Sequence, residues 1–530
     1  QVAISDRTSG NYPSFRSLAM AFAAAPWPPG YMGSSMSYVA RPTEKDRRPL
    51  LEPVAPYLSE FIGTFVFVFG TRVICGAGSE MWNATAVGCL LTVCVYIFGS
   101  NYVEGPATGG HLNPAVSLAS LLSGKEGFLK IMWYIVMQLT AGQFAGCLGA
   151  RFFPDQAPPL GPKPAFAHTS APHILEFVYT AALCFVVLNV CYSRRNHPVQ
   201  DQNHFFALAI GFAVVAAGYA GGDISGGCLN PAMALGLGAT SDSLGWGDVT
   251  FKYIGVQVIG SAAGAVLFRL CRPEEDTLNP YEYENSIHVK MLSELLGTFV
   301  LALTVGLCVV CQSDATAWAA AAALMCMIYS LWDVSGAHFN PAVTVAVTMR
   351  WPEKCPHNRA FAFVAVQNLA GMLAGFLVAT IHWMGPRGSE AYCLGPAERL
   401  DSAGNVEYHW MPALVAEFIF TFMLAFTVLA IATVSRPANE AALTRQNFPF
   451  GLAIAACVTA GGFAAGGASG GELNPAVSMG LSVSCSVTSG CFRPLWTWFW
   501  FAVFEVGGGI LAACIFRITH YREFAEKPDA

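Results

Sequence analysis

Charge is scarce in this sequence. Asp, Glu, Lys and Arg together make up 12% of the 530 residues, whereas 54% are hydrophobic and the mean hydropathy is +0.48. Soluble domains carry about 25% charged residues, so the composition excludes an ordinary soluble globular protein and predicts a membrane protein. The net charge is -6, and the basic residues do not form a stripe along the sequence. Both features argue against nucleic acid as a partner.

The cysteines lack the spacing of a metal site. Most of the 17 lie inside apolar runs, for example Cys184, Cys326 and Cys457. Cysteine in such a run behaves as a small apolar residue, so we predict neither a metal site nor a disulfide scaffold. We also expect no cofactor and no catalysis.

What the sequence does contain is a repeated Asn-Pro-Ala triplet. Asparagine is a favoured helix N-cap, and proline is favoured at the first helical position. Each triplet therefore predicts a helix start, and the short apolar run after it predicts a half-helix, too short to cross a membrane. The four copies are Asn113, Pro114 and Ala115; Asn230, Pro231 and Ala232; Asn340, Pro341 and Ala342; and Asn474, Pro475 and Ala476.

Longer apolar runs surround the triplets. A membrane helix needs about 20 mostly apolar residues, and twelve runs qualify. They lie near 54–74, 84–103, 128–150, 172–192, 203–221, 250–270, 288–311, 314–333, 358–382, 411–434, 446–465 and 493–517.

A glutamate opens every third run: Glu60, Glu176, Glu294 and Glu417. The repeating unit is therefore three spans and one half-helix, used four times. Because three spans reverse the direction of the chain, neighbouring units are inverted and the two halves run parallel. The backbone of each re-entrant loop needs partners inside the membrane. We predict that the glutamates accept hydrogen bonds from these loops, with a proton relay as the alternative.

The repeat predicts five segments: an arm at 1–50, a module at 51–272, a linker at 273–286, a second module at 287–519 and a tail at 520–530. Basic residues near the helix ends concentrate on one side. The positive-inside rule then places both termini and the linker in the cytoplasm. The polar arm is expected to be a flexible tail or, if ordered, to dock on a neighbouring subunit or within a larger membrane assembly.

Inverted half-helices predict a pore. Two of them entering from opposite faces meet near the bilayer midplane, where both point the positive end of the helix dipole at the same place. The asparagine side chains there can donate hydrogen bonds to a passing solute, whereas cations and protons are repelled.

These features resemble the aquaporin and aquaglyceroporin (major intrinsic protein) family, and they do so twice, over about 54–270 and 288–517. The match includes the triplets, the helix-opening glutamates and the stretch from Ser335 to Val343. The resemblance implies an all-α polytopic membrane protein, in which each module has six helices, two half-helices and one pore. It also implies four modules per assembly, which two chains would complete as a homodimer with the form of a pseudo-tetramer.

The sequence departs from the family at the selectivity filter. In the family an arginine normally follows the second triplet of a module, but Met233 and Val477 stand there. We therefore expect a wide apolar filter that passes water, glycerol, urea or hydrogen peroxide. Its expected residues are Gly218, Gly227 and Met233 in the first module and Gly462, Gly471 and Val477 in the second, with a fourth position near Val93 and Ala320.

Some roles stay open at this level. His111 and His338 either line the cytoplasmic vestibule or tie the loop together. Glu472 is a loop acid or a selectivity element, and Glu505, which aligns with Gln257, is an interface residue or a functional group. Two rival functions are a structural membrane subunit with closed pores and a secondary transporter. A transporter needs a coupling-ion site, and the sequence shows no carboxylate cluster at the half-helix starts.

Overall fold

The computed structural model of the chain describes residues 53–77, 80–99, 109–153, 161–198, 203–238, 249–385, 393–396, 398–400, 406–434 and 448–524. The expected arm at 1–50 and the end of the expected tail lie outside these ranges.

Within these described ranges, twelve long helices occupy the positions of the predicted spans. Eleven are long and apolar enough to cross a membrane, and the twelfth, α6, has 16 residues. In the first half they are α1 (Ala55–Ala77), α2 (Glu80–Gly99), α4 (Phe128–Phe152), α5 (Ala171–Val187, continued by a π-helical turn at Leu188–Tyr192), α6 (Phe206–Gly221) and α8 (Thr250–Cys271). In the second half they are α9 (Ile287–Val310), α10 (Thr316–Ser335), α12 (His357–Met384), α13 (Trp410–Ala432), α14 (Phe448–Gly466) and α16 (Arg493–Thr519).

Four shorter helices begin at the prolines of the triplets. They are α3 (Pro114–Leu122), α7 (Pro231–Gly238), α11 (Pro341–Arg350) and α15 (Pro475–Ser489). The last has 15 residues and is the longest of the four.

The two modules repeat one packing pattern. In the first, α1 packs on α4 and α5 on α8, while the half-helices α3 and α7 pack on α8 and α4. The second module places α9 on α12, α13 on α16, α11 on α16 and α15 on α12. Glycines allow the closest of these contacts, because a Cβ added at Gly142 or Gly371 would lie 2.2 or 2.0 Å from a half-helix carbonyl oxygen. Small residues serve this purpose where helices pack inside a membrane.

The modules meet along α6 and α10. The rings of Phe205 and Tyr329 stack with centroids 4.4 Å apart, and the Trp318 indole N–H donates to Thr85 Oγ1 at 2.9 Å. Just after α8, the buried Arg272 donates to Asp333 of α10. Both apolar packing and buried ion pairing therefore hold the modules together.

The connection after α12 contains a feature that the sequence did not predict. Cys393 forms a disulfide with Cys485 near the end of α15. The sequence predicted no disulfide scaffold and gave no sign of this single bond, because Cys393 lies outside the apolar runs and chain folding carries it to the half-helix. A small hairpin follows, with strands β1 (Glu398–Leu400) and β2 (Val406–Tyr408) paired antiparallel.

Candidate pores

Each asparagine of the triplets caps its own half-helix. In the first module, Asn113 Oδ1 accepts a hydrogen bond from the N–H of Ala115, and Asn230 Oδ1 accepts one from Ala232, both at 2.9 Å. The second module repeats these bonds at 2.8 Å for Asn340 and 3.0 Å for Asn474. The cap fixes the side chain so that its amide NH₂ points away from the helix.

The same asparagines connect the two loops of a module. Asn113 Nδ2 donates to the carbonyl of Leu229, and Asn230 Nδ2 donates to that of Leu112, both at 2.9 Å. In the second module, Asn340 donates to Leu473 at 2.8 Å and Asn474 to Phe339 at 2.9 Å. An asparagine NH₂ has two hydrogens, so one from each side chain remains for a solute in the pore.

The residue before each asparagine has a left-handed backbone. Leu112, Leu229, Phe339 and Leu473 have φ between 47° and 55°. This conformation costs about 1–2 kcal/mol for a residue with a side chain. It turns the carbonyl of that residue toward the asparagine of the opposite loop, and the hydrogen bond formed there offsets the strain.

Buried glutamates hold the loops of the first module. Glu60 accepts hydrogen bonds from the N–H groups of His111 at 3.0 Å and Leu112 at 2.8 Å. Glu176 does the same for Cys228 at 2.8 Å and Leu229 at 2.7 Å. Both side chains are fully buried, so the carboxylates satisfy loop N–H groups that water cannot reach.

A glutamine completes three of these sites. Gln138, Gln257 and Gln367 each donate through Nε2 at 2.8 Å to the glutamate of their unit, which is Glu60, Glu176 or Glu294. The sequence signal for this role is an amide at the same place in the third span of these three units, and it was not recognised as a partner of the glutamates.

The fourth unit differs from the other three. Glu417 accepts from the Leu473 N–H at 2.9 Å and from Ser469 Oγ at 2.5 Å. Its glutamine is replaced by Glu505, which accepts from the Asn474 N–H at 2.9 Å and from Ser478 Oγ at 3.0 Å. Glu472 immediately precedes Leu473 and Asn474, the two residues whose N–H groups donate to Glu417 and Glu505, so the fold brings the three acids to the same loop. The expectation of no carboxylate cluster at the half-helix starts was therefore wrong, because residues far apart in sequence meet only in the fold.

Each module contains a cavity that reaches both of its triplet asparagines. The first, of about 360 Å³, is enclosed by α1, α2, α5 and α6 and reaches Asn113 and Asn230. The second, of about 470 Å³, is enclosed by α9, α10, α13 and α14 and reaches Asn340 and Asn474. Asp314, in the connection between α9 and α10, borders both. Each module thus has its own candidate pore with a pair of asparagines in its wall.

The expected filter residues all line these cavities. Gly218, Gly227 and Met233 line the first, and Gly462, Gly471 and Val477 line the second. Of the two residues expected at the fourth filter position, only one lines its cavity.

Ala320 lines the second cavity, but Val93 does not line the first and is 51% exposed on the outer surface. A Cβ added at Gly218 would lie 2.8 Å from the Cβ of Ala84, and one at Gly462 would lie 2.7 Å from that of Ala317. These alanines are therefore opposite the filter glycines, and the expectation for Val93 was wrong because counting along the sequence misjudged the rotation of α2.

The two histidines line the cavities and are also hydrogen-bonded. His111 Nδ1 lies 2.9 Å from Ser117 Oγ, and its Nε2 contacts the Tyr192 hydroxyl. His338 Nδ1 lies 3.2 Å from Thr344 Oγ1. Both interpretations left open by the sequence are thus compatible with the geometry.

The architecture defines a class of protein: a polytopic bundle with inverted half-helices that meet at a pore. The family model for the major intrinsic protein matches residues 51–268, 174–315 and 290–516. The chain belongs to the major intrinsic protein family, and two of these matches cover its two modules. It is therefore an integral, multi-pass membrane protein of a family of passive channels for water or small solutes.

Several aquaporins and a glycerol facilitator are similar to less than half of the chain. It is 29% identical to aquaporin NIP1-2 of Arabidopsis thaliana over 44% of this chain and 75% of the relative. It is 30% identical to aquaporin A of Dictyostelium discoideum, over 42% of this chain and 81% of the relative. It is 28% identical to the glycerol uptake facilitator protein-like 6 of Lactiplantibacillus plantarum, over 41% of this chain and 95% of the relative.

A solved structure is also similar. The aquaglyceroporin from Plasmodium falciparum is 24% identical and aligns with a TM-score of 0.33, over 41% of this chain and 93% of that one.

Proposed function

We propose that the chain forms two passive pores for water and small neutral solutes such as glycerol, urea and hydrogen peroxide. The observation that supports this is the wall of each cavity beside its second asparagine. Two glycines and an alanine stand there with Met233 in the first module and Val477 in the second. No arginine borders either cavity in the described parts of the chain.

The wall explains the expected selectivity. An arginine would narrow the filter and hold a fixed charge there, whereas glycine and alanine leave room for solutes larger than water. Ion exclusion then depends on the four half-helices, whose positive ends face the pore near the asparagines. Neutral solutes can accept hydrogen bonds from the asparagine NH₂ groups without meeting this barrier.

Flux measurements on proteoliposomes test the proposal. Stopped-flow experiments should show that vesicles containing the protein take up both water and glycerol faster than empty vesicles. The variant with Met233→Arg and Val477→Arg should keep water flux and lose glycerol flux, whereas Met233→Leu with Val477→Ile should keep both. Water flux without glycerol flux in the unmodified protein would contradict the wide filter.

We also propose that two chains form a homodimer with four pores. Within the chain, α5 and α6 of the first module pack against α9 and α10 of the second. By the repeat, α1 and α2 correspond to α9 and α10, and α13 and α14 correspond to α5 and α6. These two surfaces expose large apolar side chains, including Ile97 at 65% and Ile419 at 50%. A second copy would close both contacts at once, and a native mass of four chains would refute this arrangement.

We also propose that both termini and the linker face the cytoplasm. Three crossings, α9, α10 and α12, separate the linker from Cys393, so the disulfide is on the opposite side of the membrane. Disulfides persist in oxidising compartments, which supports a non-cytoplasmic location for Cys393. A membrane-impermeant label that reaches the linker in intact cells would overturn this orientation.

A coupled transporter is the second candidate, and the carboxyl cluster of the fourth unit is the observation that favours it. Under a passive channel, an imposed proton gradient should not drive glycerol against its own gradient. Uphill accumulation of glycerol in proteoliposomes would favour the transporter.

A further inference from the structure

The fourth unit replaces a hydrogen-bond donor by an acid. In three units the Nε2 of a glutamine donates to the loop-holding glutamate. Glu505 occupies the place of that glutamine beside Glu417, and an ionised carboxylate has no hydrogen to donate. Glu505 can replace the glutamine chemically only if it carries a proton.

The unpaired oxygen atoms point to the same conclusion. Glu505 is fully buried, and its Oε1 accepts two hydrogen bonds, whereas its Oε2 has no hydrogen-bond partner among the described residues. Glu472 Oε2 is also buried without a partner in that part of the chain. Two ionised carboxylates cannot bond each other, but a proton on one of them makes it a donor.

The charges around the cluster leave no other way to balance it. Glu417 comes from α13, Glu505 from α16 and Glu472 from the loop before α15. The remaining titratable groups in the wall of the second cavity are Asp314 at one end and His338 near the other. Neither lysine nor arginine lines this cavity among the described residues. Three adjacent carboxylates without a cation repel one another strongly inside a membrane.

We propose that Glu417, Glu472 and Glu505 form a proton-binding site that opens onto the second pore through Glu472. Two protons occupy it, one on Glu505 and one on Glu472, while Glu417 stays ionised and holds the loop. The loop-holding site of the fourth unit then carries one negative charge, as do the sites of Glu60, Glu176 and Glu294 in the other three units.

The site makes the two pores of one chain chemically different. At the corresponding places the first module has Cys228 and Gln257, neither of which carries an acidic proton in exchange with the pore. In the second pore, protonated Glu472 supplies both a donor and an acceptor beside the apolar wall at Val477 and Gly471. Loss of its proton would place a negative charge at the same level.

Infrared spectroscopy of the full chain in lipid tests this directly, because the carbonyl stretch of a protonated carboxyl group is separate from the bands of a carboxylate. At neutral pH, Glu505→Gln and Glu472→Cys should each remove one protonated carboxyl, and the double variant should remove two. Transfer to D₂O should shift the band, because Glu472 exposes the site to pore water. Both replacements copy the residue of the first module, so the fold should tolerate them.

The reverse variant is a second measurement. Gln257→Glu builds the acid pair into the first module without an acidic neighbour at Cys228 and should add one protonated carboxyl. Unchanged spectra for Glu505→Gln and Glu472→Cys would show that no protons reside in the site. A band that stays unshifted in D₂O would exclude contact with the pore. Neither measurement requires transport, so failure here is distinguishable from failure of the channel proposal.

Discussion

Replacing Arg272 tests the contact between the modules. This buried side chain follows α8 in the first module and donates to Asp333 of α10 at 2.5 and 2.8 Å. It also donates to the carbonyl of Ser330 at 2.7 Å and to Asn189 Oδ1 at 2.8 Å. Arg272→Met keeps most of the side-chain volume and removes all of these bonds.

The expected cost is about 3–5 kcal/mol, which is typical when one member of a buried ion pair is removed and its partner remains. Burial lowers the pKa of Arg272, but the carboxylates of Asp333 and Glu274 outweigh burial and raise the pKa above its ordinary value. The arginine therefore stays charged at any working pH, and the cost should not vary across the neutral range. It corresponds to about two to four orders of magnitude in the folding equilibrium.

A denaturant titration of the full chain in detergent gives the difference in free energy of unfolding. Arg195→Met is the matched control, because Arg195 lies 3.9 Å from Glu274 and 4.0 Å from Asp333 and its side chain is 20% exposed. Exposed ion pairs contribute about 0–1 kcal/mol. A loss below about 1 kcal/mol for Arg272→Met, or an equal loss for the control, would refute the role of this ion pair.

Three further predictions concern single positions. Cys393→Ser opens a disulfide that spans 92 residues and should cost about 2–4 kcal/mol, measured by thermal unfolding with and without reductant. Burial lowers the pKa of His197 from 6.5 to about 4, so stability should be lost as the pH falls from 6.5 toward 4, and less so in His197→Gln. Gly371→Ala would place a Cβ 2.0 Å from the Ala476 carbonyl oxygen, whereas at Gly255 an added Cβ meets nothing within 4 Å; only Gly371→Ala should lower the folded yield.

Each of these has a result that would contradict it. If a reductant lowers the thermal unfolding midpoint of Cys393→Ser as much as that of the unmodified chain, the stability lost on reduction does not come from this disulfide. Equal acid sensitivity with and without His197→Gln would remove the histidine as its cause. Equal yields for Gly371→Ala and Gly255→Ala would show that the close helix contact tolerates a methyl group.

Local chemistry made part of the fold predictable. Asparagine caps a helix and proline is favoured at its first position, and all four half-helices begin at the prolines of the Asn-Pro-Ala triplets. Apolar runs of sufficient length predicted the spans because the membrane imposes that length. The repeated glutamates were recognisable because an acid inside an apolar run is costly in a membrane and therefore rare without a structural or functional role.

Side-chain partners were less predictable. The glutamine role of Gln138, the position of Ala84 beside Gly218 and the disulfide of Cys393 all join residues from different helices. The left-handed backbone of Leu112 carries no sequence signal, because leucine rarely adopts it without a compensating hydrogen bond from another loop.

The sequence by itself determined that there are two modules, four half-helices and no arginine after the second and fourth triplets. Only the tertiary structure decided that Glu472 and Glu505 meet Glu417, and that the first pore has Cys228 and Gln257 in their places. The physical reason is that helix starts and membrane spans depend on neighbours in the chain. The charge state of a buried carboxyl depends on which groups the folded chain brings within reach.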